Sequence, residues 1–339
     1  MLEKPDLEDE EIIGCLRNEY GLNIVRIAFL PLGADMNTAV YRAITSENMA
    51  YFVKLRHGDF DEAALAIPKY LTDLGIKQII PFITTRTGRL YTNLHDFKVI
   101  LYPFIEGHNG FEVGLSDQDW VEFGKALKSF HSTIIPPSIT HNIRRETYTP
   151  KWRQMVTSFL ERICRETYGD PIAAELAGFL RSKHDETLEL VGRSERLAAI
   201  LRNQNPDFIL CHADIHAGNL LIDNKDNLYI VDWNTLCFAP KERDLMFVGA
   251  GLCGGGHTPQ EEIFLFYKGY GPTNVDPTAL AYYRYERIVE DIAAYCEQIF
   301  LSNSGGDDRE RSLKYLKSNY LPNNTIEIAH QFDIALNQG

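Results

Sequence analysis

Short apolar runs dominate the first hundred residues, and helical spacing dominates the rest of the chain. Residues 7–20 open the chain with Leu7, Ile12, Leu16 and Tyr20 able to share one helical face. The runs "NIVRIAFLPL", "TAVYRAIT" and "AYFVKLRH" are rich in β-branched and aromatic residues. The turn-prone stretches "GADMN" and "SENM" separate them, which predicts three antiparallel strands. "DEAALAIPKYLTDLG" predicts a helix closed by Gly75, with Pro68 marking a kink or a late start. Two more strands are expected near 89–95 and 97–105.

After Gly107 the apolar positions recur every three or four residues. Ser116 is placed to cap "DQDWVEFGKALKSFHSTI", whose Trp120, Phe123, Leu127 and Phe130 form one stripe. Further helix is expected over about 151–202 and from about 258 to the end. Between them "LLIDNKDNLYIVDW" predicts two short strands joined by "DNKDN". The pattern therefore predicts an α+β chain in two lobes: a β-rich lobe over 1–106 and a mainly helical lobe over 107–339, joined at "EGHNG".

Composition narrows the classes. The chain has 339 residues and a net charge of −13. No Lys/Arg cluster longer than "IRRE" occurs, which argues against nucleic acid as a partner. The six cysteines are scattered without a C-x-x-C pair, which argues against a structural zinc site and a disulfide framework. The acidic start "MLEKPDLEDEEIIGCL" does not resemble a signal peptide, and no stretch is long and apolar enough to span a bilayer. A cytoplasmic protein without membrane contact, monomeric or weakly dimeric, is the expectation.

Residues 211–222, "CHADIHAGNLLI", carry the candidate chemistry. His212, Asp214 and His216 invite a metal reading, but the stretch reads as a loop holding Gly218, and no second cluster supplies further ligands. An ordinary loop with two histidines and a capping aspartate is the plainer alternative. The third reading starts from the D-x-x-x-x-N spacing of Asp214 and Asn219, followed by Asp232 at the end of "LYIVDW". That is the order of a kinase catalytic loop: one carboxylate beside the acceptor hydroxyl, then an asparagine and a second carboxylate for Mg²⁺ on the nucleotide phosphates. Such a site also needs a lysine on an upstream strand, and Lys54 in "YFVKL" is flanked by apolar residues. It needs a carboxylate on the next helix, for which Glu62 is the first candidate and Asp61 the second. It needs a loop over the phosphates, and "PLGADMNTAV" offers Gly33 and Asn37. Five elements in order favour the kinase reading over the other two.

These segments resemble the aminoglycoside phosphotransferase family. "CHADIHAGNLLI…YIVDWN" is similar to its signature, and "YFVKLRHGDFDE", "LYPFIEGHNGF", "FAPKERDLMFVGAG" and "YYRYERIVEDIA" extend the likeness over nearly the whole chain. The resemblance implies a two-lobed protein-kinase-like fold. It implies ATP-dependent phosphorylation of a hydroxyl on an aminocyclitol antibiotic, spectinomycin-like and conferring resistance, with Mg²⁺ as cofactor. By position, Asp214 is then the base, Asn219 and Asp232 the Mg²⁺ ligands, and Lys54 the contact to the phosphates with Glu62 as its partner. The backbone of Tyr102, Pro103, Phe104 and Ile105 reads the adenine. Where the family pattern has an acid two residues after the metal aspartate, this chain has Asn234, which implies a weaker grip on a substrate amine or another acceptor. A kinase of an amino alcohol such as choline, and a silent nucleotide- or drug-binding protein, remain the rivals.

Other features weigh less. Gly249, Gly251 and Gly254 match G-x-G-x-x-G, but the next helix is expected to start at Thr258 with the capping box "TPQE", so a dinucleotide site is not predicted. Glu286 and Glu290 lie four apart on a helix. A solvated face is the ordinary explanation, while Glu290 and Asp291 are candidates for an acidic wall around a cationic substrate. Trp233 is a candidate to pack on the substrate ring. Arg243 and Asp244 are expected to form a buried ion pair.

Overall fold

The three expected strands form the heart of a five-stranded antiparallel sheet. Strands β1 (Ile24–Leu30), β2 (Thr38–Thr45), β3 (Ala50–His57), β4 (Thr92–Leu94) and β5 (Phe97–Pro103) pair in the order β1-β2-β3-β5-β4. The computed structural model describes residues 3–32, 37–58, 61–250, 256–302 and 306–337. Gly33 of the expected phosphate loop, and Gly251 and Gly254, lie outside the described residues. Helix α1 (Asp9–Cys15) runs on into a π-helical turn, Leu16–Tyr20, that ends at Gly21 with φ of 73°. Helix α2 (Ala63–Asp73) contains Pro68 without interruption.

Side chains alternate across the pleat. Ala39, Tyr41, Ala43, Val53, Leu55, Val99 and Leu101 point to a core completed by Ile12, Leu16 and Tyr20. The register pairs Val40 with Lys54 and Lys54 with Ile100, and sets Phe52 opposite Tyr102. Lys54, Phe52 and Tyr102 therefore share the other face, where Leu65, Phe82 and Ile100 form a smaller cluster that Tyr102 joins.

The chain divides into two compact units that interleave along the sequence: residues 1–113, 132–143 and 219–236, and residues 114–131, 144–218 and 237–339. In the first unit β6 (Gly107–Asn109) pairs with β8 (Leu220–Asp223), which pairs with β9 (Leu228–Ile230). The stretch expected as a linker is thus a strand. Gly107 permits it, because a Cβ there would stand 2.2 Å from the carbonyl oxygen of Ile222. The short helix α3 (Gly110–Val113) comes next.

The second unit is helical, as the periodicity predicts. It holds α4 (Asp117–His131), α5 (Lys151–Arg165), α6 (Pro171–Ser182), α7 (His184–Gln204), α8 (Glu242–Leu245), α9 (Pro259–Tyr270), α10 (Pro277–Leu301), α11 (Gly306–Ser318) and α12 (Thr325–Asn337). Ser116 Oγ accepts the Asp119 N–H, and Thr258 with Glu261 forms the expected capping box. The core gathers on α10, where Tyr285, Val289, Ile292 and Cys296 meet Val156, Leu160 and Ile163 of α5 and Leu190 of α7. A two-stranded ladder of β7 (Ile209–Cys211) and β10 (Cys237–Ala239) is not expected from the pattern; three-residue strands leave too little alternation to read. No helix of the described residues is long and apolar enough to cross a membrane.

Candidate active site

In the first unit the chemistry centres on Asp232. It comes after β9 in the left-handed region, φ 62°, a conformation that costs energy for a residue other than glycine and is tolerated best by Asn and Asp. Its carboxylate oxygen accepts the Lys54 ammonium at 3.0 Å. The strand holds Lys54 on the face opposite the core, and little of its side chain is exposed. Asn234, standing where an acid was expected, donates its amide to the same Asp232 oxygen. An acid there would set two like charges together. Asn219 is buried, and its carbonyl accepts the Val231 N–H at 3.0 Å, which ties the two motif segments together through the β8–β9 hairpin.

The expected Lys54–Glu62 pair is not formed. Glu62 precedes the first helical residue of α2 and accepts the Tyr91 hydroxyl at 2.7 Å instead, while Asp61 caps the helix through the Ala63 N–H. Trp233 is buried and its indole N–H goes to the Ile230 carbonyl at 3.1 Å, so the ring belongs to the packing rather than to a substrate face. In the segment expected to read adenine, Pro103 has no N–H and that of Phe104 goes to the Ala50 carbonyl. Burial, with Asp232 nearby, pushes the Tyr102 phenol well up. Asn37, from the expected phosphate loop, lies just before β2, and its carbonyl accepts the His57 N–H at 2.8 Å.

In the second unit the chemistry centres on Asp214. The preceding Ala213 sits at φ 69°, again strained for a residue with a Cβ. Its conformation is held by Asp244, whose two carboxylate oxygens accept the Ala213 N–H at 2.6 Å and the His212 N–H at 2.9 Å. Asp244 is fully buried and also bonds to His131 Nε2 at 2.8 Å. Arg243 turns away from it to Glu290, at 3.4 Å, so the expected Arg243–Asp244 pair is replaced by two separate ties.

Asp214 Oδ1 is paired with the Arg287 guanidinium, and His216 Nε2 stands 3.7 Å from the same oxygen. His216 Nδ1 accepts the Gly218 N–H at 3.0 Å, which leaves the ring hydrogen of a neutral imidazole on Nε2, facing Asp214. Burial would raise the Asp214 carboxyl, but the Arg287 charge and the nearby histidines hold it well below the usual carboxylate range. Arg287 also reaches Asp291, at 3.0 Å. Burial lifts Asp291 to about 6, against the pull of Arg287. Glu286 is not on a solvated face: it is buried, takes Arg153 and Ser194, and its carboxyl is raised by burial.

One grouping among the described residues has metal-ligand character, His131, Cys211 and Asp244, with ligand atoms within 4.8 Å of one another. Its atoms already have partners. His131 Nδ1 meets the Tyr270 hydroxyl at 2.8 Å, Asp244 takes two backbone N–H groups, and the Cys211 thiol points to backbone carbonyls. Arg287 and His131 are members of the site that the motifs do not foretell. The i,i+4 spacing of Arg287 and Asp291 is the one local sign for the former.

Comparisons with known proteins identify the family. The model of the phosphotransferase enzyme family matches residues 28–278. The crystal structure of a spectinomycin phosphotransferase in complex with ADP and spectinomycin is 41% identical, with a TM-score of 0.89 over 97% of this chain and 99% of that one. An AMP-bound complex of spectinomycin phosphotransferase, also 41% identical, gives a TM-score of 0.85 over 96% and 98%. A choline kinase from Streptococcus pneumoniae shares the fold at 17% identity, with a TM-score of 0.53 over 91% and 99%. The protein-kinase-like α+β fold, the family match and the identity across nearly the whole chain together establish that this protein belongs to the phosphotransferase enzyme family and is a small-molecule kinase.

Proposed function

We propose that the protein transfers the γ-phosphoryl group of ATP to a hydroxyl of a cationic aminocyclitol antibiotic such as spectinomycin, and so confers resistance to it. The observation that supports this most is the Lys54–Asp232 ion pair. It joins residues 178 positions apart, both of which the motif order alone assigns to nucleotide and metal. The 41% identity to a phosphotransferase solved with spectinomycin supports the acceptor class.

The acceptor oxygen bonds to the γ-phosphorus as the bond from that phosphorus to the β–γ bridging oxygen breaks. The hydroxyl proton passes to the Asp214 carboxylate, and ADP leaves. Arg287 keeps Asp214 ionised and ready to accept that proton. It also weakens it as a base, which suits a loose transition state in which the proton moves late and orientation matters more than basicity. Lys54 binds the α- and β-phosphates, with Asn37 beside them at the start of β2 and the Ile105 backbone toward the adenine. Glu62 steadies that region through Tyr91 rather than through Lys54. The Asn219 amide and the Asp232 carboxylate are oxygen donors that suit Mg²⁺, and Asp232 already collects two donors in this structure, Lys54 and Asn234. When bound, the ion would neutralise charge on the phosphates. Glu290 and Asp291 serve the substrate amines in competition with Arg243 and Arg287.

ADP release across aminocyclitols, aminoglycosides and amino alcohols tests the reading. Turnover is expected with a spectinomycin-like aminocyclitol, and Asp214→Asn is expected to lower it by about 10²–10⁴-fold with ATP binding retained. Turnover only with choline or ethanolamine would move the protein to amino-alcohol kinases. Full activity in the Asp214→Asn variant would remove Asp214 from the chemistry.

A further inference from the structure

Arg287 is the least expected member of the site. It projects from α10, whose neighbouring residues Ile288 and Val289 are locked in the helical core, so its Cα has little freedom. Its guanidinium lies 5.7 Å from the centre of the Phe247 ring. It meets two carboxylates, Asp214 and, one helical turn along α10, Asp291. A planar fork with several donors can span two acids in this way, whereas a lysine ammonium acts as a point charge on a flexible stem.

We propose that Arg287 is the positioning residue of the phosphoryl-transfer reaction, bridging Asp214 to Asp291 and thereby fixing the orientation of the carboxylate that receives the acceptor's proton. The inference rests on Asp214 being that base. The groups facing Asp214 within its unit are Arg287, Asp291 and Tyr295 from α10, and His212 and His216 from its own loop, with Glu290 acting on Arg287 and Asp291 behind them. Among them Arg287 is the permanent cation. With it removed, burial and the Asp291 charge act on Asp214 together, and both favour the protonated form. Asp291 keeps Arg287 as its partner, and burial lifts its carboxyl to about 6 against that pull.

The test is the pH dependence of kcat, with the acceptor that the wild-type protein phosphorylates best, for Arg287→Gln and Arg287→Lys. In Arg287→Gln the acid limb is expected to move up by about one to three pH units. Its kcat at neutral pH is expected to fall by about 10–100-fold, as for a misplaced reacting group, with the KM for ATP little changed. Arg287→Lys is expected to keep the wild-type limb, since it keeps the charge, and to lose kcat several-fold, since it cannot bridge. An unmoved acid limb in Arg287→Gln, or wild-type kcat in Arg287→Lys, overturns the proposal. Should Arg287→Gln fail to fold, the kcat of Arg287→Lys alone decides. The acceptor screen on the wild-type protein is scored first, so failure of the proposed substrate class is seen separately from failure of the bridge.

Discussion

The two aspartates assigned to the reaction are held by opposite means. Asp232 stands at the end of a hairpin strand, and its partners come from neighbouring backbone geometry: Lys54 from a strand whose register fixes its face, and Asn234 from two residues along the chain. Asp214 stands in a loop with almost no regular structure of its own. It is held from outside, by the buried Asp244 beneath its backbone and by Arg287 on its carboxylate. Both have a strained residue with positive φ at or beside them, Asp232 itself and Ala213. The hairpin site joins a distant strand lysine, 178 positions away, to a contact within its own segment, Asn234, while the loop site has its backbone and its carboxylate held by side chains 31 to 73 positions away. The loop site should therefore be the more fragile of the two, and substitutions at a distance should damage it first.

The sharpest break of that comparison is Asp244→Ala. It strips acceptors from two buried N–H groups and from His131, and each such loss is a full desolvation penalty. Stability in chemical denaturation is expected to fall by about 3–5 kcal/mol, along with activity. Asp244 is a buried carboxyl held below the usual range: burial alone would raise it, but the His131 hydrogen bond, the His212 charge and the Ala213 N–H outweigh that. A carboxyl with a lowered folded pKa stabilises the fold above the ordinary carboxylate value and loses that contribution as the pH falls through the folded one. The gap between wild type and variant should thus be constant at neutral pH and narrow below about pH 4. A gap that widens in acid would mean that Asp244 is not ionised in the fold.

Lys54→Met is the matching substitution on the hairpin side. It removes one electrostatic stabiliser from the transferring group, so turnover should fall by about 10²–10³-fold. Asp232 keeps its Asn234 contact and its backbone, so the melting temperature should hardly change. A large loss of stability would show that the pair, rather than the hairpin, holds Asp232.

This contrast also explains what can be read from the sequence. Strands β1 to β3 are legible because each has seven or eight residues in a β-rich pattern, and so is the Thr258 capping box, because its spacing is fixed. Lys54, Asp214, Asn219 and Asp232 stand out as a set because their order along the chain matches that of a kinase catalytic loop, and the structure pairs Lys54 with Asp232. The partner of Lys54 is misread, since helix proximity suggests Glu62 and only the fold can show the carboxylate turned to Tyr91. Strands β6, β7 and β10, with three residues each, carry no readable alternation. Arg287 is invisible as a partner of Asp214 because an ion pair across 73 residues leaves no spacing to detect.

A smaller effect should appear at Asp291, where burial lifts the carboxyl from its ordinary value to about 6. The sign is the reverse of Asp244. An acid with a raised folded pKa binds protons more tightly folded than unfolded, so its contribution is most favourable at low pH and declines as the pH rises from about 4 to about 6. Asp291→Asn should remove that decline, and above pH 6 it should recover at most about 3 kcal/mol, the equivalent of the rise. Thermal melts of both proteins from pH 5 to pH 8 check this; curves that stay parallel would show that Asp291 is ionised throughout.

The smallest expected change comes from Asn234→Asp, at the position where the resemblance led to an acid being expected. In the present chain the Asn234 amide donates to Asp232, so the residue serves the aspartate proposed to hold the metal. An aspartate cannot donate when ionised, and it adds a negative charge beside Asp232. Two consequences should separate in steady-state kinetics. The KM for a cationic aminocyclitol should fall by at most about fivefold, the order of one exposed ion pair, because a free carboxylate is then available to the substrate amine. The Mg²⁺ dependence should change independently, with saturation at lower metal concentration, because the added charge draws the cation. An unchanged KM combined with a changed Mg²⁺ dependence would show that position 234 belongs to the nucleotide side alone, and that discrimination among acceptors is made by α10.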